Sequence, residues 1–80
     1  MHRKEIVSIV NEVFIDTLDN DEVIIDESTK ATDVDDWDSL THIMLVVAIE
    51  KKFNIRFNSS EIQSWNNVGE MIDCIQEKGL

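Results

Sequence analysis

The stretch that decides the fold runs Asp33-Val34-Asp35-Asp36-Trp37-Asp38-Ser39-Leu40 and continues, after Thr41-His42, as Ile43-Met44-Leu45-Val46-Val47-Ala48-Ile49. Carboxylates occupy four of the six positions from 33 to 38, a serine follows, and the composition then turns apolar for seven consecutive residues. Ser39 therefore stands where an acidic loop meets a helix start, with Asp38 as the N-cap. A hydroxyl there is exposed, and a group attached to it faces a helix N-terminus, whose N–H groups and dipole favour an anion. The position suits a phosphate ester.

From this junction outward, the chain reads as all-α. Ile6, Ile9, Val10, Val13, Phe14 and Leu18 recur at three- and four-residue spacing, which predicts an amphipathic helix over residues 3–18. Residues 19–38 show no sustained period, although Val23, Ile25, Ala31 and Val34 are expected to turn inward. A connection of that length is either functional or ordered by its own side chains. The second helix is expected over residues 39–52, with apolar residues almost encircling it. So small a protein buries only roughly 60% of the surface its unfolded chain exposes, so part of that helix must face outward. Leu40, Ile43, Met44 and Val47 are the residues expected to be exposed for docking.

Phe53, Ile55 and Phe57 alternate, but one strand has nothing to pair with, so an extended link with those side chains turned inward is expected. Asn58 with Glu61 has the spacing of a capping box, which predicts a short third helix over residues 60–65. Asn66-Asn67-Val68-Gly69-Glu70 repeats the start signal. The closing helix then carries Val68, Met71, Ile72 and Ile75 on one face, with Gly79 as its stop. The expectation is one domain over residues 1–80, a small four-helix bundle with a long loop between helices 1 and 2 and a short helix 3.

Composition narrows the function. Seventeen acids against seven bases give a net charge of −10, the wrong sign for binding nucleic-acid phosphates. A partner with a basic face is expected instead, beside the plain reading of a solvated acidic surface. The single cysteine, Cys74, allows no internal disulfide and fits a reducing compartment. Ser8, Asn11 and Glu12 break the apolar residues near the N-terminus, so neither a signal peptide nor a membrane span is expected, and the cytoplasm is the default.

Catalytic and metal readings fare poorly. Asp38, Ser39 and His42 hold the residue types of a hydrolytic triad, but neighbours on one helix rarely aim the base at the hydroxyl, and no Gly-x-Ser-x-Gly elbow is present. His42 is expected at the surface near whatever Ser39 carries. A calcium loop starting at Asp33 would need Gly at position 38 and Glu at position 44, which are Asp38 and Met44; one starting at Asp19 meets Ile24 and Lys30 instead. No metal site is expected. Cys74 reads as a partly buried, inert thiol, and Trp37 and Trp65 as packing residues.

The tripeptide Asp38-Ser39-Leu40, set after an acidic loop and before a helix ending Ala48-Ile49-Glu50-Lys51-Lys52-Phe53, resembles the acyl carrier proteins of the phosphopantetheine-binding family. The likeness covers essentially the whole chain and implies a carrier without catalytic activity of its own. By resemblance, 4′-phosphopantetheine would be esterified to Ser39 by a separate phosphopantetheinyl transferase, and its thiol would hold acyl groups as thioesters. Acyl-loading, acyl-processing or acyltransferase enzymes of fatty-acid, lipid or polyketide-type synthesis would then dock basic faces against Asp35 and Asp36 and apolar ones against Leu40, Ile43, Met44 and Val47. A D-alanyl or peptidyl carrier on the same fold is the alternative. No membrane insertion and a monomer are expected. Trp37, where many fatty-acid carriers have Gly, and the lack of acids along the second helix before Glu50 imply a specialised, stand-alone member.

Overall fold

The computed structural model describes residues 2–78, and within them four α-helices account for the regular structure, together with one 3₁₀ turn. The helices are α1 (Arg3–Leu18), α2 (Ser39–Phe53), α3 (Ser59–Ser64) and α4 (Val68–Glu77), and the 3₁₀ turn is Ala31–Asp33. The expected all-α bundle is therefore the fold, with α2 ending one residue later and α3 starting one residue earlier than the spacing predicts. The stop expected at Gly79 lies outside the described residues. Among the described residues no helix is long and apolar enough to cross a membrane.

The periodic side chains build the core. Ile6, Val10, Val13 and Phe14 from α1 meet Leu45, Val46, Ile49 and Phe53 from α2 and Val68, Met71, Ile72 and Ile75 from α4 in one buried cluster. Helix ends follow from local chemistry. Asp19 and Asn54 close α1 and α2 in the left-handed conformation, with φ of 51° and 57°, which Asp and Asn tolerate better than most residues. Asn58 Oδ1 accepts the Glu61 N–H at 2.8 Å while Glu61 Oε1 accepts the Asn58 N–H at 3.0 Å, the capping box read in the sequence.

The long loop is ordered by its own side chains. Val23 and Ile25 enter the core, and the Ile25 N–H donates to Asn11 Oδ1 of α1 at 2.7 Å. Asp26 Oδ1 accepts from the backbone and hydroxyl of Ser28, and the buried Thr29 hydroxyl accepts the Asp26 N–H at 2.9 Å. Two loop carbonyls then receive the first N–H groups of α4, Glu27 from Gly69 at 2.8 Å and Thr29 from Val68 at 2.9 Å. The Arg3 guanidinium fastens the same corner, donating to Glu27, Asp73, Gln76 and the Gly69 carbonyl. One expectation fails here. Ala31, in the 3₁₀ turn, is exposed, whereas Val34 just after it is half-buried.

The extended link behaves as expected. Phe53 and Phe57 are buried and Ile55 is half-buried, while Glu50 Oε2 accepts the Phe57 N–H at 2.8 Å and ties the link back to α2.

Candidate functional site: the N-terminus of the second helix

Ser39 is the first residue of α2, and its side chain is exposed. Asp38 caps the helix as expected. Its Oδ1 accepts the N–H groups of Leu40 at 3.0 Å and Thr41 at 2.9 Å, while the Asp38 N–H donates to Thr41 Oγ1 at 2.8 Å. These bonds, the Thr41 N–H first among them, hold the Asp38 carboxyl below the usual carboxylate range. The cap changes the electrostatics expected at Ser39. A helix N-terminus attracts an anion through its free N–H groups, and here a carboxylate already occupies two of them. A phosphate on Ser39 would be held by its ester bond and solvated by water, with Asp38 repelling it rather than the helix N-terminus binding it.

Asp35 and Asp36 are both exposed on the approach to Ser39. Thr41 Oγ1 donates to the Asp36 carbonyl at 2.8 Å, and the Asn20 side-chain amide donates to Asp36 Oδ2 at 3.3 Å, so the acidic loop keeps a defined path into the helix. Beyond Ser39, the four residues expected to face outward do so: Leu40 is 70% exposed, Ile43 61%, Met44 47% and Val47 44%. The first turn of α2 has no acid other than the cap, and its last turn carries Lys51 and Lys52, whose charge complements the helix C-terminus. Among the described residues no three His, Cys, Asp or Glu side chains converge as a metal site.

His42 departs from its expected place. It is half-buried rather than a free surface residue, and both ring nitrogens are engaged. The Trp37 indole N–H donates to His42 Nδ1 at 3.0 Å, and Nε2 lies 3.3 Å from the Ile62 carbonyl. Because an indole N–H is donor only, Nδ1 is the acceptor and the ring proton sits on Nε2, facing that carbonyl. The imidazole is thus not available as a base for Ser39, which removes the hydrolase reading on geometry. Trp37 is buried, edge-on to Phe14 at 4.9 Å and stacked on His42 at 5.9 Å. Its packing role was legible in the sequence; its bond to His42 was not.

A cleft of about 790 Å³ opens beside Ser39, between the start of α2 and the α3–α4 corner. Half-buried His42, Ile62 and Trp65 line it, with the exposed Ile43, Gln63 and Asn66 toward its mouth. Trp65 is half-buried, edge-on to His42 at 5.9 Å and to Phe57 at 4.9 Å. Its indole N–H points at the Cys74 sulfur, 3.1 Å away, and the thiol is itself half-buried.

Known proteins agree with this arrangement. The family described as "Phosphopantetheine attachment site" matches residues 8–75, a span that includes the whole α2 junction. The acyl carrier protein of Thermotoga maritima is 29% identical over 76 residues, covering 95% of this chain and 94% of the relative. The solution structure of holo acyl carrier protein from Geobacter metallireducens superposes with a TM-score of 0.83 at 33% identity, over 90% of this chain and 83% of that one. An exposed serine on a capped helix, the order of the four helices and these matches converge: the chain belongs to the acyl carrier protein family and carries a phosphopantetheine prosthetic group.

Proposed function

We propose that Ser39 is the residue esterified by 4′-phosphopantetheine and that the protein carries acyl intermediates as thioesters on that arm, presenting them to partner enzymes of a dedicated lipid, polyketide or surface-glycan pathway. One observation carries the assignment: Ser39 is an exposed hydroxyl at the first position of α2, within the span that matches the attachment-site family. When bound, the arm supplies a thiol for thioester exchange. The chain's own contribution is to expose the attachment point and, through the Asp38 cap, to leave its phosphate unbound by the helix N-terminus. Catalysis belongs to the partners, since His42 is engaged at both nitrogens and the adjacent Asp38 carboxylate is committed to capping α2.

The docking surface proposed for those partners combines Asp35 and Asp36 with Leu40, Ile43, Met44 and Val47. The acids would steer basic faces toward Ser39, and the exposed aliphatic residues would supply the buried contact once docked. The outward face of α2 holds no acid before Glu50, so contact along the helix is apolar in character. That balance favours specialised partners over the housekeeping fatty-acid set. A single 1–80 carrier domain working in the cytoplasm completes the reading, in keeping with the lone, half-buried cysteine.

Co-expression with a broad-specificity phosphopantetheinyl transferase tests the assignment by intact mass. The wild type should gain the mass of one phosphopantetheine, and Ser39→Ala should gain none. An unmodified wild type would sink the carrier reading, and equal modification of the alanine variant would move the site elsewhere.

A further inference from the structure

The rings beside Ser39 form a continuous row. Phe14, Trp37, His42, Trp65 and Phe57 follow one another at centroid separations of 4.9, 5.9, 5.9 and 4.9 Å, from α1 across the start of α2 to the extended link. The polar atoms of the three central rings are all engaged: Trp37 Nε1 with His42 Nδ1, His42 Nε2 with the Ile62 carbonyl, and Trp65 Nε1 with the Cys74 sulfur. In the core, Leu45, Ile49 and Ile72 are wholly buried. Separating these rings to admit a chain would leave an indole N–H, an imidazole and a carbonyl unpaired inside the protein, which is strongly unfavourable. On the outer side Trp37, His42 and Trp65 meet the open cleft, beside the proposed attachment residue, where Asp38 is the one charged residue of the lining and no lysine or arginine is present.

We propose that Trp37, His42 and Trp65 act as a wall that keeps the cargo of this carrier outside the bundle, and that the cleft against the wall holds a short, uncharged acyl group. The inference rests on Ser39 as the attachment residue. The aromatic lining gives a small acyl group and its thioester a flat apolar surface, and Gln63 and Asn66 toward the mouth offer hydrogen bonds to the amides of the arm. A long saturated chain gains little more, because the carbons beyond the cleft stay in water. The three rings thereby set an upper limit on how much of the cargo leaves water, with no catalytic part in the transfer.

The test loads the whole protein, through a phosphopantetheinyl transferase, with acetyl-, butyryl- and octanoyl-phosphopantetheine from the matching acyl-coenzyme A thioesters, adenosine 3′,5′-bisphosphate leaving, and each product is checked by mass. Thioester cleavage by hydroxylamine is then compared with cleavage of the same acyl-coenzyme A. Burial of the chain in the bundle would slow cleavage by about fourfold for every methylene removed from water. The wall predicts butyryl and octanoyl protein protected alike, within about twofold of each other, since no methylene beyond the cleft is buried. The two tryptophans also give two indole N–H signals in an ¹H–¹⁵N spectrum. Both should shift on acylation, and equally for butyryl and octanoyl groups. Protection that grows steadily from acetyl to octanoyl would overturn the wall, and indole signals indifferent to acylation would overturn the cleft. Trp65→Ala, which opens the row, should confer chain-length-dependent protection on the octanoyl protein. A Trp65→Ala protein that folds and still treats butyryl and octanoyl alike would remove Trp65 from the wall. Should that variant fail to fold, the wild-type series decides alone. No mass gain would overturn the Ser39 reading and this inference together, whereas mass gain with growing protection overturns only the inference.

Discussion

Helices α2 and α4 begin alike and differ in what their outer faces carry. Each starts at a side-chain oxygen that caps the first turn, Asp38 accepting the Leu40 and Thr41 N–H groups in one case and Asn67 the Glu70 N–H in the other. Each buries four apolar side chains in the common core. Around α4 no large apolar side chain faces water: Asp73 and Glu77 are exposed and Cys74 is half-buried against the core, so its apolar residues are all accounted for by packing. Around α2 four more large aliphatic residues face water, beside the acidic loop. Hydrophobicity on α4 explains a fold; on the outer side of α2 it explains nothing about the fold and needs a partner to account for it.

The largest effect is expected on α4. Ile72 is completely buried, and Ile72→Ala removes three carbons from a packed core, which costs about 2–5 kcal/mol. Against a total stability of roughly 5–15 kcal/mol, that should lower the urea midpoint sharply without touching the Ser39 corner. A midpoint close to wild type would mean that α4 packs far more loosely than its burial implies, and the contrast with α2 would lose its inner half.

Gly69 gives the next effect, and its direction runs against helix propensity. A Cβ there would lie 2.8 Å from the Glu27 carbonyl oxygen, the same atom that accepts the Gly69 N–H. The loop would have to move away from α4. Crowding of about 1–3 kcal/mol is set against at most about 1 kcal/mol of propensity gained by Ala over Gly. Gly69→Ala should therefore destabilise the protein in urea titration. A stabilised variant would show that the loop is not seated on α4 at all.

That seat illustrates what the sequence could and could not disclose. The helices were legible because their chemistry is periodic: Ile6, Val10, Val13 and Phe14, or Val68, Met71, Ile72 and Ile75, lie on one face by spacing alone. The exposed side of α2 was legible by size, since eighty residues cannot surround such a helix. The contacts of Glu27 and Thr29 with α4 run through backbone carbonyls, which every residue possesses, so no residue type announces them; Gly69 early in a helix was the single trace. The Trp37–His42–Trp65 row was hidden for another reason. Trp37 and His42 straddle the Asp38 cap, and Trp65 comes from a distant segment, so their contact depends on how the chain folds back. His42 consequently reads as a surface residue until its two nitrogens are located.

The caps break the comparison by pH. Asp38 has its carboxyl held below the usual range by the Thr41 and Leu40 N–H groups, whereas Asn67 does not titrate. A carboxyl with a depressed folded pKa stabilises the protein above its unfolded value of about 4 and loses that contribution as pH falls through the folded value. Asp26 and Glu61 are depressed as well, by Ser28 and by the Asn58 N–H with Lys78, so wild-type stability should fall on acidification. Asp38→Asn keeps an acceptor at the cap but removes its titration. Its melting temperature should follow pH less steeply below about pH 5 than that of wild type, since one depressed carboxyl has been removed. Parallel curves would mean that the cap carboxylate contributes no linkage.

The smallest effect on stability is expected where the effect on function should be greatest. Met44 is 47% exposed and Ile43 61%, so Met44→Ser and Ile43→Ser remove apolar surface about half of which folding leaves in water. Substitutions at such positions usually change stability by no more than about 0.5 kcal/mol. If these residues exist for docking, the same substitutions should slow phosphopantetheine transfer to Ser39 at limiting transferase, with the deficit disappearing as protein concentration rises. Asp36→Asn should also slow it, but its deficit should vanish in high salt, because steering by an exposed charge is screened beyond about 8–10 Å at physiological ionic strength. Serine variants that melt early would place Met44 and Ile43 with α4 as packing residues. Serine variants that melt normally and accept the arm at the wild-type rate would show that this transferase does not read the outer face of α2.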